Sequence, residues 1–222
     1  MSERLTRVLA FDCSGASCSA AVLVDGTIRA ERFAAMERGQ AEALLPMIQA
    51  TLAEAGLGWA EIEAIATTVG PGSFTGVRLG LSAARGLALA SDRPIVAVTA
   101  FEAVAAGVAP GEGRFAVAID SRRGPVFAQR FGADHRPEGE PAQVEPEAMA
   151  AWLGDDGCRL VGDGVANLAG EPGLILEPAV RRIRAGDLAR AAAALGRAGI
   201  DRLPAHPLYL RAPDVSQPKP RP

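Results

Sequence analysis

The sequence predicts an α/β chain made of two similar halves, a first of order βββαβαβα and a reduced second. Three observations carry that prediction. Short apolar runs joined by tight turns open the chain, and only then do apolar runs alternate with helical patterns. The opening pattern returns: LAFDCSG followed by AAVLV is echoed by VAIDSRRG followed by VFAQRF. Each is a strand, an aspartate (Asp12, Asp120), a serine within two residues, a glycine turn and a second strand. Finally, Val69-Gly70-Pro71-Gly72 ends a strand in the first half and Val161-Gly162-Asp163-Gly164 ends one in the second. Two echoes in the same order point to an internal duplication.

Taken in order, the first half reads as follows. Residues 7–11 form an apolar strand ending at Asp12, and residues 19–24 form the next. Asp25-Gly26 is a hairpin signal into a third strand at residues 27–33. Gln40–Ala55 reads as a helix with Leu44, Leu45, Ile48 and Leu52 on one face and Pro46 in its early part. Gly56 and Gly58 end it. A strand at residues 62–69, a helix at 74–90, a strand at 94–99 and a short helix at 101–108 complete this half. Pro110-Gly111-Glu112-Gly113 is the candidate boundary, dividing the chain into residues 1–109 and 110–222.

The second half begins with strands at residues 115–119 and 126–131. Residues 135–147 are polar with three prolines and read as loop. Residues 146–153 read as a short helix and 185–198 as an alanine-rich one. From Leu203 the chain is proline-rich, and residues 217–222 are expected to be disordered.

The helix at residues 74–90 is unusual. It carries Gly76, Gly80 and Gly86, and each interior glycine costs about 1 kcal/mol relative to alanine. Gly76, Gly80, Ala84 and Ala88 share one face, with Ser82, Gly86 and Ala90 as a second small-residue stripe. Such faces admit a second backbone at close range, either the chain's own sheet or another protein. A phosphate-binding loop is the third reading, because a glycine turn feeds the helix N-terminus. Neither standard version fits. A Walker A loop ends in Gly-Lys-Ser/Thr, whereas this one leads into Gly76-Val77-Arg78. A dinucleotide fingerprint needs glycine or alanine where Thr75 stands.

Composition bounds the function. Apolar residues make up 49% and charged residues 22% of 222, as in soluble globular proteins. Lys219 is the single lysine, so the basic charge is almost all arginine. A net charge of −3 excludes whole-chain electrostatic binding of nucleic acid. Cys13, Cys18 and Cys158 show no CxxC spacing, which favours a reducing, cytoplasmic setting. The N-terminus lacks a signal-peptide layout, and no apolar run approaches the ~20 residues of a membrane span.

Catalytic chemistry finds few carriers. His135 and His206 stand far apart, which leaves no HExxH pair, no triad and no cysteine ligand cluster, so no catalytic residue and no metal site are expected. Asp12 and Asp120, at strand ends, are the candidates for magnesium or phosphate work, with Gly162 and Gly164 beside a nucleotide. The simpler reading is that the aspartates cap turns and the glycines turn the chain. Arg181, Arg182 and Arg184 form a small basic cluster that reads as a solvated face.

The repeated half with an aspartate after each first strand resembles the ASKHA superfold of actin, sugar kinases and heat-shock chaperones. GPGSFTGVRLGLSAARGLALA, at residues 70–90, narrows this, being similar to the signature of the TsaB (YeaZ-type, glycoprotease-like) family. LAFDCSGASCSAAVL, ALLPMI, AIDSRRGPVF and PLYLR resemble further family motifs along nearly the whole chain. The resemblance implies a non-catalytic dimerisation subunit of bacterial tRNA threonylcarbamoyladenosine synthesis. It would pair through its first two helices with the catalytic paralogue TsaD, joined by the ATPase TsaE. ATP and metal would sit on those partners, this chain would carry no cofactor of its own, and tRNA would be met only through the complex. The implied interface is Leu44, Leu45, Ile48, Gly76, Val77, Gly80, Leu81 and Ala84. A homodimer through the same surface is the companion expectation. The family's common histidine six residues before the LLP proline is replaced by Gln40, from which no lost function is inferred. The alternative is a stand-alone ASKHA-type small-molecule kinase or ATPase using Asp12 and Asp120. A metallopeptidase is disfavoured by the histidine count.

Overall fold

A computed structural model describes residues 4–109, 113–154, 157–177 and 181–210. Most of the candidate boundary, residues 110–112, and the expected disordered tail lie outside these.

The first sheet holds β1 (Arg7–Asp12), β2 (Ser17–Val24), β3 (Thr27–Ala35), β4 (Ala64–Thr68) and β5 (Ile95–Val98). Their order across the sheet is β3-β2-β1-β4-β5. β1, β2 and β3 are antiparallel neighbours, and β4 and β5 continue parallel to β1. Asp25 and Gly26 both take positive φ, as a tight hairpin turn requires. The second sheet holds β6 (Phe115–Asp120), β7 (Val126–Phe131), β8 (Pro137–Val144), β9 (Arg159–Val161) and β10 (Ile175–Leu176), in the order β8-β7-β6-β9-β10. Strand for strand, and in every parallel or antiparallel pairing, this repeats the first sheet. The chain therefore has the duplicated ASKHA-like architecture that its echoes predict.

One element corrects the sequence reading. Residues 137–144, expected as loop, form β8 at the edge of the second sheet. An edge strand tolerates Pro137 and Pro141 because alternate N–H groups there bond to nothing. A bulge between Ala128 and Arg130 takes up the irregularity, with Gln129 Nε2 donating to Gly139 O at 2.7 Å.

Helices α1 (Gln40–Ala55) and α2 (Phe74–Ser91) cover one face of the first sheet. α1 runs unbroken through Pro46. At its start, Gln40 Nε2 donates to Met36 O at 3.1 Å, and Gly56 closes its end in the left-handed region. α2 is capped by Ser73, whose Oγ accepts from Gly76 N at 3.1 Å. On the opposite face lie α3 (Ala100–Ala105), opened by a Thr99–Glu102 capping box, and α5 (Ala185–Leu195). These two are sandwiched between the sheets. Val8 and Ala10 of β1 join Phe115, Val117 and Ile119 of β6 in one continuous core with Phe101 and Leu188. Leu9 and Phe11, one residue out of phase, face α1 and α2 instead. Among the described residues, the outer face of the second sheet is covered by α4 (Met149–Leu153) and a 3-10 turn at Gly164–Leu168.

Candidate functional site

Two places could carry function: the seam between the halves and the outward side of α1 and α2.

The seam is lined by Ser14 and Gly15 of the β1–β2 turn, by Ser17 at the start of β2, by Pro71, Gly72 and Ser73, and by Asp120, Arg122, Asp163 and Arg182 of the second half. It is narrow, because the turns press together. Ser73 N donates to Ser14 O at 2.7 Å, and a Cβ on Gly72 would stand 2.7 Å from the same oxygen. Asp12 does not reach the seam. It is fully buried, accepting from Ser14 Oγ at 2.7 Å, Ser14 N at 3.2 Å and the Thr68 hydroxyl. Burial raises its carboxyl above the usual range. An aspartate so sealed ties β1 to β4 and has no free face for a hydrated cation.

Asp120 does line the seam, yet its oxygens are in use. They accept from Arg122 N at 2.7 Å and Asn167 Nδ2 at 2.9 Å, with Arg122 Nε at 3.5 Å. Arg122 is also held by Glu37 across the halves at 2.8 Å. Gly162 and Gly164 do not line the seam. A Cβ on Gly162 would fall 2.1 Å from Ala118 O, and one on Gly164 would fall 2.9 Å from Ala118 C. These glycines are there for close backbone approach.

The residue between them, Asp163, was read from the sequence only as part of the Gly162-Asp163-Gly164 turn, with no role of its own. Its Oδ1 accepts from Asp120 N at 2.9 Å. Burial, with Asp120's charge adding, pushes its carboxyl up to about 6. It occupies the place that Pro71 holds in the first half, so the duplication was the signal that pointed to it. A phosphate entering this seam would meet the carboxyls of Asp120 and Asp163, Arg182, and Arg122 already paired to Glu37. Arg181 is likewise engaged, with Glu177 at 2.6 Å and Gly107 O at 2.5 Å, as is Arg184 with Glu31 at 2.9 Å. Among the described residues, no cluster of three or more His, Cys, Asp or Glu is placed to hold a metal.

The outward helix surface needs its own correction. Leu44, Ile48, Gly76, Val77, Gly80, Leu81 and Ala84 were expected to meet a partner, but all are buried within the chain. A Cβ on Gly76 would lie 2.1 Å from Cys13 O, and one on Gly80 would lie 3.3 Å from Thr67 Oγ1. The stripe lets α2 settle on its own β1 and β4. Small-residue spacing reports that a backbone comes close without saying whose.

Leu45 alone of the expected set is exposed, at 48%. With it on the outer side of α1 stand Ala41, Gln49 and Ala53, and on that of α2 stand Phe74, Arg78, Ser82, Arg85, Gly86 and Leu89. Phe74 is 49% and Leu89 88% exposed. A Cβ on Gly86 would meet nothing within 4 Å. The second stripe, Ser82, Gly86 and Ala90, is thus the one that faces out. α2 has no acidic residue. Such a surface, with large apolar groups around small ones and arginine beside them, suits a protein partner.

Known proteins agree with this fold. The model of the family "TsaD: tRNA N6-adenosine threonylcarbamoyltransferase" matches residues 33–150, more than half of the chain. The Escherichia coli tRNA threonylcarbamoyladenosine biosynthesis protein TsaB is 37% identical over 150 residues, and that match spans 64% of each chain, less than two thirds of the relative. An uncharacterised protein of Mycobacterium tuberculosis is 31% identical over 96% of this chain and 95% of its own. A solved Pseudomonas aeruginosa protein, described as similar to the peptidase YeaZ, superposes with a TM-score of 0.82 at 31% identity over 93% of this chain and all of its own. No helix among the described residues is long and apolar enough to cross a membrane. With the duplicated sheets, the match along nearly the whole chain and the signature at residues 70–90, the chain belongs to the TsaB (YeaZ-type) family.

Proposed function

We propose that this chain is a non-catalytic docking subunit in cytoplasmic tRNA threonylcarbamoyladenosine synthesis. It binds a TsaD-like transferase through the outward side of α1 and α2. The observation that carries the reading is that surface, with Leu45, Phe74 and Leu89 exposed around the small stripe of Ser82, Gly86 and Ala90. Two further facts support it. The E. coli relative is named for biosynthesis of this modified nucleoside. The transferase family's model spans residues 33–150, which include α1 and α2. A helix pair common to two related chains can meet its counterpart about a pseudo-twofold axis, and the same face pairs two copies when the transferase is absent.

In this reading a TsaE-like ATPase joins the pair. ATP and metal reside on the partners, and tRNA is reached only through the assembly. The seam of this chain serves as structure, with Asp12 sealed and Asp120 engaged. The test is reconstitution with the cognate transferase and ATPase subunits. The full set should modify tRNA, omission of this chain should abolish the product, and the two related chains should co-elute. ATP turnover by the isolated chain, or modification without it, sinks the proposal.

A further inference from the structure

The C-terminal segment at residues 203–210 crosses the first half and is tied down along its length. Just before it, the Arg202 guanidinium donates to both oxygens of Glu102 at 2.7 and 2.9 Å, fixing the segment to the first turn of α3. Ala205 O accepts from Arg85 Nη2 at 2.5 Å. Leu208 N donates to Val69 O at 2.7 Å, just past β4. Leu203, Ala205 and Leu208 pack on Val77 and Leu81 of α2. Tyr209 then stacks on Phe74 with centroids 5.6 Å apart, and its oxygen accepts from Arg78 Nε at 2.8 Å. The Arg78 guanidinium lies 3.7 Å over the Phe74 ring.

Helix α2 has need of such a hold. Its first turns carry Gly76 and Gly80, which weaken a helix by themselves. Phe74 and Arg78 stand outside the core, where long side chains sample several rotamers. The three-group stack leaves them one arrangement, and a surface ordered in advance loses less freedom on docking.

We infer that Tyr209 is a positioning residue for the docking surface. It holds Phe74 and Arg78, and the first turns of α2 beneath them, in the arrangement a partner subunit meets. This rests on the docking role proposed above. The segment is not part of either expected interface helix, so its contribution was invisible in the helix pattern.

The test uses the full chain and its cognate transferase. Calorimetric affinity is measured for wild type, Tyr209→Ala and Tyr209→Phe, with hydrogen exchange on each free chain. Tyr209→Ala should weaken binding about tenfold, the scale of an interface anchor. It should raise exchange at residues 76–80 while both sheets stay protected. Tyr209→Phe keeps the ring and should bind within about threefold of wild type, a small part of that anchor's contribution. Wild-type affinity for Tyr209→Ala, with the wild type itself binding, overturns this inference and spares the docking role. A wild type that fails to bind overturns both. Weak binding with unchanged exchange at residues 76–80 makes Tyr209 a direct contact and refutes positioning. Exchange raised across both sheets, or Tyr209→Phe as weak as Tyr209→Ala, refutes it equally.

Discussion

The two halves share a sheet and differ in what covers it. Each puts five strands in the same order with the same pairings. Each jams a glycine against the backbone beside its central strand: Gly76 on Cys13 O and Gly162 on Ala118 O. Outside the sheets the likeness ends. The outer face of the first sheet carries helices of 16 and 18 residues with exposed leucine and phenylalanine, whereas that of the second carries, among the described residues, a 5-residue helix and 3-10 turns. What both halves share is the frame, and what one half alone carries is a pair of long outer helices with exposed apolar groups.

The largest expected effect tests the shared frame. Gly76→Ala and Gly162→Ala each force a Cβ to 2.1 Å from a carbonyl oxygen, and Gly162 also has φ +120°. Each should destabilise the chain by about 3 kcal/mol or more, read as a fall in the urea midpoint. The two glycines are not matched positions, so a neutral result for either would remove the close backbone contact claimed for that half alone.

Next comes the contrast in covering. Leu89→Asp places a charge on the outward side of α2 and should weaken transferase binding about a hundredfold, or about 2.7 kcal/mol. Ile175→Asp makes the same change on β10, where the side chain is 52% exposed, and should leave affinity unchanged. Equal losses would remove the asymmetry.

A smaller effect separates the matched turns, Pro71 in one half and Asp163 in the other. Asp163 has its folded pKa raised to about 6 by burial. The folded state therefore binds the proton more tightly than the unfolded one between about pH 4 and 6, and stability falls as pH rises through that window. Asp163→Asn can still accept from Asp120 N and removes this fall. Its unfolding free energy, read by urea titration, should match wild type near pH 4 and exceed it at pH 7 by about 1–3 kcal/mol. A difference that shrinks with rising pH would reverse the assigned cause.

The smallest effect lies on α2 itself. Gly86 has open space where a Cβ would go and a helical backbone, so Gly86→Ala should raise stability by about 0.5–1 kcal/mol. It would mark the outward stripe as distinct from the inward one a turn and a half away.

Much of this was legible beforehand because period and punctuation are local. The hairpin at Asp25-Gly26, the extent of α1 and its end at Gly56 follow from neighbouring residues. β8 was not legible from its own composition, since its prolines are tolerated only through its place at an edge, a non-local fact. The duplication would have supplied it, because a third antiparallel strand in the first half demands one in the second. The orientation of α2 was hidden for a similar reason. Two small-residue stripes are equally plain in sequence, and only the position of Cys13 O decides which is inside. Asp12 illustrates the limit for the site: a strand-end aspartate looks the same whether it holds a cation or two hydroxyls of its own chain.

The place of α5 has a consequence for synthesis. Its residues, Ala185–Leu195, close the inner face of a sheet that begins at Arg7. A nascent chain emerging from the ribosome would therefore hold its first five strands with one apolar side covered only in part, by α3, until α5 is translated. Contacts that distant in sequence form late. The first half should thus depend on holding chaperones, or on an early-arriving partner, more than its short hairpins would suggest.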